Sequence, residues 1–377
     1  MSEKVRVMHI IDSLGYGGTE IILHELLSRL ISFGFDVSVC YLESGPLLEK
    51  YSGLGIPLIR IPWLARVDPL LMFKICGAIR QKNPRIVHTH LFKSDFHGVS
   101  AAKICRTPIV LSTLHSTNEW ARKPLLGLIY GLVMRRADKV IAMSEKMRDY
   151  FIENSHIPCS KFQVIDNAIS VEKYENKSDD GRAVRAGLGI PPDVPLFGFI
   201  ARLDPPKDHA TFLRSAVQIL RVDANARFLI VGDGVLRQSL QELATKLGIE
   251  KSVIFCGFRK DVPAILSAID VLVLCSFYEG QPVSVMEAMA ASRPVVATTV
   301  LGTSSIVVDG KTGFLVAGEN PAAVADACIR LMNDSSLRQR MGQAGNIHIK
   351  TRHSIDVMAQ KTANLYTSLL KDRGITL

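Results

Sequence analysis

Short apolar runs alternate with helical patterns along this 377-residue chain, and the alternation strongly limits the folds it can adopt. Near-continuous apolar strands separated by helices are typical of parallel sheets covered by helices on both faces. The sequence therefore predicts an α/β fold with two doubly wound, Rossmann-like domains. The runs lie at 5–11, 36–41, 86–90, 109–113 and 139–143, and again at 196–200, 228–231, 253–256, 271–275, 295–298 and 314–316.

A polar stretch over residues 171–195 interrupts the pattern, and the chain is too long for one ordinary core. We expect a first domain over 1–175, a linker over 176–195 and a second domain over 196–353. The last helix, over 354–377, is expected to pack back on the first domain. Ligands of such sheets bind at the carboxyl ends of the strands, so the expected site is the cleft between the two domains.

The composition is that of a folded protein, with 47% hydrophobic and 21% charged residues. The longest apolar candidate, 125–134, is too short to span a bilayer and is bracketed by Arg122-Lys123 and Arg135-Arg136. No cleavable signal is expected, because the first residues lead directly into a strand. The seven cysteines are scattered, which favours reduced thiols in a cytoplasmic protein.

The net charge of +9 is unevenly distributed along the chain. Residues 60–148 hold 16 Lys/Arg against 5 Asp/Glu, a net +11, so the rest of the chain carries a net −2. Such a surface would attract an anionic membrane leaflet, and residues 125–134 could dock on it as a surface helix. A diffuse basic surface without a partner, and a buried helix, are the alternatives. No nucleic-acid-binding module is recognisable, so no nucleic-acid partner is predicted.

Two glutamates, Glu279 and Glu287, follow the apolar run 271–275 at a spacing of eight residues. Gly280 lets the backbone approach a ligand, and Pro282 fits the first turn of a helix. The free amides at that helix start suit a phosphate, and Glu287 can point back at neighbouring hydroxyls. The sequence thus predicts a site for a phosphorylated sugar, although a helix-surface carboxylate is the alternative.

Two further loops follow strands at the corresponding place in each predicted domain. In the second domain, Arg202 leaves the strand end and Lys207 opens the next helix, so both could converge on a diphosphate. In the first domain, Gly17 and Gly18 could offer amides to a phosphate or simply permit a tight turn. Their spacing is not the dinucleotide pattern, which argues against a dehydrogenase.

The whole chain resembles the GT4 family of retaining glycosyltransferases, which have the GT-B fold. The resemblance rests on eight elements in the family's order. They are Gly17-Gly18, His115, Ser144-Glu145, Asn167-Ala168-Ile169, Arg202 with Lys207, Gly232-Asp233-Gly234, the segment Phe255-Cys256-Gly257-Phe258, and the Glu279/Glu287 pair. Ala168, Ala201 and Asp208 replace glycines that the family commonly uses, and all three lie beside the proposed site residues and not on them.

The resemblance implies a role for each candidate residue. Arg202 and Lys207 would hold the diphosphate, and Glu279 with the amides around Gly280, Gln281 and Pro282 would grip the donor sugar. Glu287 would accept hydrogen bonds from the ribose, and the backbone at Gly257 and Phe258 would recognise the base. His115 would contact the sugar near the anomeric carbon, and Gly17 and Gly18 would let the first domain close over the phosphates.

The implied activity is transfer of a sugar, with retained configuration, from a nucleotide-sugar to a glycan or lipid-linked acceptor in bacterial surface polysaccharide assembly. A UDP-sugar is favoured and a GDP-sugar is the alternative. No metal or other cofactor is expected, because the chain has no Asp-x-Asp and its own cations can neutralise the diphosphate. The expected location is cytoplasmic, at the inner face of the membrane. A nucleotide-sugar 2-epimerase and a non-catalytic nucleotide-sugar-binding protein remain alternatives.

Overall fold

The computed structural model describes residues 4–63, 68, 70–115, 124–175 and 177–375. The chain forms two compact units, one of Met1–Ala168 with Ile355–Leu377 and one of Ile169–Ser354. Within the described ranges, no helix has both the length and the apolar composition needed to cross a bilayer.

The first unit is built on a seven-stranded sheet whose paired strands all run parallel. Its strands are β1 (Arg6–Ser13), β2 (Asp36–Glu43), β3 (Leu58–Arg60), β4 (Ile86–His90), β5 (Ile109–Leu114), β6 (Lys139–Ala142) and β7 (Phe162–Val164). Their order in the sheet is β3-β2-β1-β4-β5-β6-β7. Every residue of β4 and β5 is buried, as expected for central strands that helices cover on both faces.

Seven helices accompany this sheet among the residues described. They are α1 (Gly18–Ser32), α2 (Leu48–Ser52), α3 (Leu71–Lys82), α4 (Phe92–Ile104), α5 (Pro124–Met134), α6 (Glu145–Ser155) and the C-terminal helix α14 (Ile355–Asp372). The last helix belongs to the first unit, where Tyr366 lies 2.6 Å from His88 and Asp356 pairs with Arg29 at 2.9 Å. The chain thus returns to the first sheet at its end.

The second unit is built on a six-stranded parallel sheet of order β10-β9-β8-β11-β12-β13. Its strands are β8 (Leu196–Ile200), β9 (Arg227–Val231), β10 (Val253–Gly257), β11 (Val271–Leu274), β12 (Val295–Thr298) and β13 (Gly313–Val316). Its helices are α7 (Ser178–Gly187), α8 (His209–Val222), α9 (Arg237–Lys246), α10 (Val262–Ala268), α11 (Val283–Ala290), α12 (Pro321–Asn333) and α13 (Ser335–Arg352).

The expected linker over 176–195 is corrected by the structure, because most of it is the helix α7 and its following turn. The buried Arg185 of this helix donates to the carbonyl oxygens of Ala268 and Val194 at 2.7 and 2.8 Å, and it pairs with Asp270 at 2.9 Å. A guanidinium engaged in this way fixes the segment to the second sheet. The second unit therefore begins at Ile169, before the predicted start at 196.

Candidate active site

In the second unit, the loops that follow β8 and β11 meet, because these strands are neighbours in the sheet. The amide of Phe277 donates to the carbonyl oxygen of Pro206 at 2.9 Å and joins the two loops through their backbones. Parallel strands end at one edge of a sheet, so side chains from both loops share that edge. The sequence-predicted Lys207 and Glu279 lie here.

Lys207 and Glu279 form an ion pair, with 2.5 Å between Nζ and Oε1. Both side chains are mostly buried, with 21% and 10% of their surface exposed. The hydroxyl of Ser276 donates to the same carboxylate oxygen at 2.7 Å. One oxygen of Glu279 thus receives two donors, and the ammonium of Lys207 is held at the junction of the two loops. An incoming phosphate would compete with Glu279 for that ammonium.

Arg202 does not converge with Lys207 in this structure. Its side chain is 76% exposed and pairs with Asp204 at 3.0 Å. An ion pair between exposed groups contributes little free energy, so the guanidinium can leave Asp204 for a stronger anion at small cost. The expected convergence of two cations on one diphosphate therefore requires Arg202 to move.

Asp208 stands where the resemblance expects glycine, and its backbone explains that preference. Its φ and ψ are 46° and 52°, a left-handed conformation that glycine adopts without strain. The side chain compensates by capping α8, since one carboxylate oxygen accepts from the amide of Thr211 at 3.2 Å. The departure from the family pattern thus leaves the local backbone conformation in place.

Glu287 lies on α11 and accepts a hydrogen bond from the hydroxyl of Tyr174 at 2.5 Å. Tyr174 ends a short 3-10 turn, Val171–Tyr174, so it reaches Glu287 across 113 positions of sequence. This contact orients one carboxylate oxygen. Pro282 is the N-cap of α11, one position before the first turn in which it was expected.

Gln281 is 5% exposed, and its Nε2 lies 3.2 Å from the hydroxyl of Ser305. The loop around Gly280 packs directly against Gly302. A Cβ added at Gly302 would lie 2.4 Å from the carbonyl oxygen of Gly280 and 2.8 Å from the Cβ of Glu279. Only glycine permits this approach, so Gly302 helps to set the position of the Glu279 loop.

The predicted base-recognition segment lies at the end of β10. Gly257 has a φ of 67°, and its carbonyl oxygen accepts from the amide of Gly232 at 2.9 Å. The next residue, Phe258, is 53% exposed. An exposed aromatic ring beside an accessible strand end can stack on a base.

In the first unit, Gly17 caps α1 at its start and Gly18 is the first residue of that helix. A Cβ at Gly17 would lie 2.2 Å from one carboxylate oxygen of Glu20. The other carboxylate oxygen of Glu20 accepts a hydrogen bond from the hydroxyl of Ser13 at 3.0 Å. The acid therefore folds over the glycine loop. Any anion approaching these amides would meet the Glu20 carboxylate, which the sequence did not suggest.

His115 follows β5 and is part of a cluster of four imidazoles. Its Nε2 lies 3.0 Å from Nδ1 of His90, and Nε2 of His90 lies 2.9 Å from Nδ1 of His9. His88 bonds the hydroxyl of Thr113 at 2.7 Å in addition to its contact with α14. Burial lowers the pKa of His9 and of His115 to about 3, and it lowers the pKa of the other two well below the usual range.

His9 and His88 are buried, and the sequence did not reveal the cluster that they form with His90 and His115. The pairing of β1 with β4 sets His9 opposite His88, and His90 follows two positions later on the same face. Three of the rings satisfy the distances of a metal site. Both nitrogens of His88 are nevertheless engaged by hydroxyls, so the described geometry is that of a neutral hydrogen-bonded cluster.

Two carboxylates of the first unit also escaped the sequence reasoning. Asp95 is buried, and burial raises its pKa to about 7 although three hydroxyls donate to it. Asp12 accepts from the amide of Ser94 at 2.7 Å and so caps α4 from outside the helix. Burial also raises the pKa of Asp12. Asp95 is enclosed in the core, whereas Asp12 is partly exposed near the end of β1.

Comparison with known proteins places this chain in a family. The model for Glycosyltransferase Family 4 matches residues 16–173, and that for Glycosyl transferases group 1 matches residues 180–348. A D-inositol 3-phosphate glycosyltransferase of Streptomyces scabiei is 30% identical over 309 residues, which are 76% of this chain and 68% of that protein. The chain belongs to glycosyltransferase family 4. The predicted family is thereby confirmed.

Other relatives of this family 4 glycosyltransferase cover nearly its whole length. The UDP-Gal:alpha-D-GlcNAc-diphosphoundecaprenol alpha-1,3-galactosyltransferase of Escherichia coli is 25% identical over 89% of each chain. The crystal structure of Anabaena Alr3699/HepE in complex with UDP has a TM-score of 0.87 and is 21% identical, covering 97% of this chain and all of that one. This likeness confirms the predicted GT-B fold.

Proposed function

We propose that this family 4 glycosyltransferase moves a hexose from a UDP-sugar to a lipid-linked or glycan acceptor, with retained configuration and without a metal ion. The observation that carries the proposal is the ion pair of Lys207 and Glu279 at the junction of two strand-end loops. Two facts support the donor and acceptor classes. Alr3699/HepE has been crystallised with UDP-glucose, and the Escherichia coli relative is named for a diphosphoundecaprenol acceptor.

The ion pair suggests how the donor engages the site. In the free protein, Glu279 neutralises Lys207. When a diphosphate arrives, Lys207 turns to it, and the carboxylate of Glu279 becomes available to a sugar hydroxyl. Ser276 keeps that carboxylate in place during the exchange, because its hydrogen bond does not depend on Lys207. One movement would thus bind the phosphate and prepare the sugar contact.

The remaining donor contacts follow from the same edge of the sheet. Arg202 would swing from Asp204 to the diphosphate, so that two cations stabilise the charge of the departing nucleotide. Glu287, oriented by Tyr174, would accept from the ribose, and Phe258 would lie against the base. With the charge neutralised by side chains, the departing phosphate would take the proton of the acceptor.

Substitution of Lys207 tests the central contact. Lys207→Ala should lower turnover by about 10²–10³, as loss of one stabilising donor does in other enzymes. The exposed Lys246 of α9 provides a matched control, and Lys246→Ala should leave turnover unchanged. Transfer is measured with purified UDP-sugars and GDP-sugars in the presence of a chelator. Near-normal turnover of Lys207→Ala would contradict the assignment of the phosphate site, and loss of activity in chelator would contradict metal independence.

Substitution of Glu279 separates its two proposed roles. Glu279→Gln removes the charge that competes for Lys207, so UDP alone should bind several times more tightly. The same variant should transfer sugar more slowly, because an amide is a weaker acceptor for the sugar hydroxyl. Isothermal titration with UDP and a transfer assay measure the two effects. Weaker binding of UDP would show that Lys207 and Glu279 do not exchange partners.

We also propose that α5 docks on the cytoplasmic face of an anionic membrane and brings the enzyme to its lipid-linked acceptor. Five of its apolar side chains are exposed: Leu125, Leu126, Leu128, Ile129 and Leu132, with between 38% and 69% of their surface accessible. The exposed Arg135 and Arg136 follow directly and suit an anionic leaflet. The preceding Arg122-Lys123 pair lies outside the described residues.

Vesicle flotation tests the docking of α5. The protein should float with phosphatidylglycerol-containing vesicles at low salt, and Leu125→Gln with Leu132→Gln should abolish flotation, since each buried leucine contributes about 1 kcal/mol. Ile104→Gln on α4 is the control, because Ile104 is exposed to a similar extent. Equal flotation of both variants would exclude α5 as the membrane contact.

A further inference from the structure

The imidazoles of His9, His90 and His115 form a continuous chain of nitrogen–nitrogen hydrogen bonds, of 2.9 and 3.0 Å. A neutral imidazole carries one N–H and one lone pair, so each ring that bonds at both nitrogens donates at one and accepts at the other. His90 bonds at both nitrogens. The chain therefore has a direction, and the tautomer of one ring dictates that of the next.

The far nitrogen of His9 sets this direction. Its Nε2 is buried and has no hydrogen-bond partner among the described residues. If His9 accepted at Nδ1, its proton would lie on Nε2 and would be a buried, unpaired donor. If His9 donates from Nδ1, only a lone pair is left bare at Nε2. Unpaired buried N–H groups are rarer in proteins than underused acceptors, so the second arrangement is favoured.

The preferred direction determines the proton positions on the next two imidazoles. His9 donates from Nδ1 to Nε2 of His90, so the proton of His90 lies on its Nδ1. His90 then donates from Nδ1 to Nε2 of His115. The proton of His115 is consequently on Nδ1, the nitrogen that does not face His90.

We propose that His90 is a positioning residue that fixes His115 as the Nδ1–H tautomer and holds its ring. This inference rests on the proposed transferase function and on the contact of His115 with the donor sugar that the family resemblance implies. It deepens that role, because His115 then meets the substrate as a hydrogen-bond donor through Nδ1 and has no free Nε2 with which to act as a base. His9 and His90 supply the orientation from the core of the sheet.

The tautomer can be read directly by NMR spectroscopy of protein labelled with ¹⁵N-histidine. Long-range ¹H–¹⁵N correlations should show His115 protonated at Nδ1 and bare at Nε2 in the wild type. In His90→Phe, the ring of His115 should shift toward the Nε2–H form that free imidazole side chains prefer. The signals that disappear in His115→Gln are those of His115, which gives their assignment. His97 is not part of the row of hydrogen-bonded imidazoles, so His97→Phe should leave the His115 signals unchanged. An Nε2–H form in the wild type would overturn the inference.

Kinetics test the consequence for transfer. His90→Phe should lower kcat about tenfold with little change in KM for the donor, and His90→Asn should recover part of the loss because its amide can donate from the position of Nδ1. Unchanged kcat in His90→Phe would overturn the positioning role. If the protein transfers no sugar from any donor, the proposed function fails, yet the NMR result still decides the tautomer.

Discussion

Mild acid should destabilise the first unit because four of its histidines must stay neutral. Burial holds the pKa of His9 and of His115 at about 3, and it holds the pKa of His88 and His90 well below the usual range. In the unfolded chain each has a pKa near 6.5. Since the folded pKa is the lower one, their stabilising contribution is complete above pH 6.5 and is lost as the pH falls toward the folded values.

The size of the effect follows from linkage. Between pH 7.5 and 5.5, each histidine that protonates only when unfolded costs about 1.4 kcal/mol, so the four cost about 5.5 kcal/mol. Asp95 acts in the opposite direction, because its pKa is raised to about 7 and its unfavourable ionisation is relieved in acid. That relief is about 2 kcal/mol over the same interval. The net expected loss is about 3.5 kcal/mol.

Tryptophan fluorescence during guanidinium unfolding reports on the first unit, because both tryptophans of the sequence, Trp63 and Trp120, fall within the range 1–168. We expect His9→Phe to reduce the acid-induced loss by about 1.4 kcal/mol. The exposed His156 provides the control His156→Asn, which should behave as the wild type. A stability equal or greater at pH 5.5, or a loss in His9→Phe as large as in the wild type, would refute the reasoning.

Two further substitutions test the second unit. Gly302→Ala should lower turnover at least tenfold, because the added Cβ would force the carbonyl of Gly280 to move and small displacements at a site have large effects on rate. Gly318→Ala is the control: a Cβ there meets nothing within 4 Å, so turnover should be unchanged in the same assay. Tyr174→Phe should raise KM for the donor about tenfold with kcat nearly unchanged, because it removes one hydrogen bond to the charged carboxylate of Glu287. An unchanged KM would contradict a role of Glu287 in ribose binding.

The strands were the most predictable part of the fold, because central parallel strands are apolar on both faces. β4, β8 and β12 have the predicted bounds, whereas β3 and β7 were missed. Each missed strand has three residues at an edge of the first sheet and contains exposed positions. Edge strands of this length carry too little hydrophobic signal to be separated from a loop.

The error over 176–195 has a different cause. Asp179, Asp180 and the paired prolines are typical of a linker, but α7 buries only one stripe and leaves its acids in solvent. The helix is held to the second sheet mainly by Arg185, and a charged residue of this kind predicts an exposed segment. A buried arginine that donates to four backbone carbonyl oxygens cannot be recognised without the partners that surround it.

The site was predictable where strand order alone brings residues together. Lys207 and Glu279 follow strands that are adjacent in a doubly wound sheet, so their loops were expected to point the same way. Tyr174 and Ser276 were missed because each acts through a single hydrogen bond to a carboxylate and has no pattern of its own. The histidine cluster had a usable signal, which was His88-x-His90 on a strand next to one that carries His9.

In the proposed arrangement, the hydrogen bond from His90 fixes the tautomer of His115, while burial prevents His115 from titrating in the folded unit, since its pKa is lowered to about 3. Loss of turnover in acid should therefore not come from protonation of His115 in the folded enzyme. In guanidinium near the unfolding midpoint, turnover and tryptophan fluorescence measured on the same samples should decline together as the pH falls below 6.5. Protonation of His115, seen in its ¹⁵N signals while the fluorescence stays native, would mean that the neutral chain of imidazoles is the wrong description of the working state.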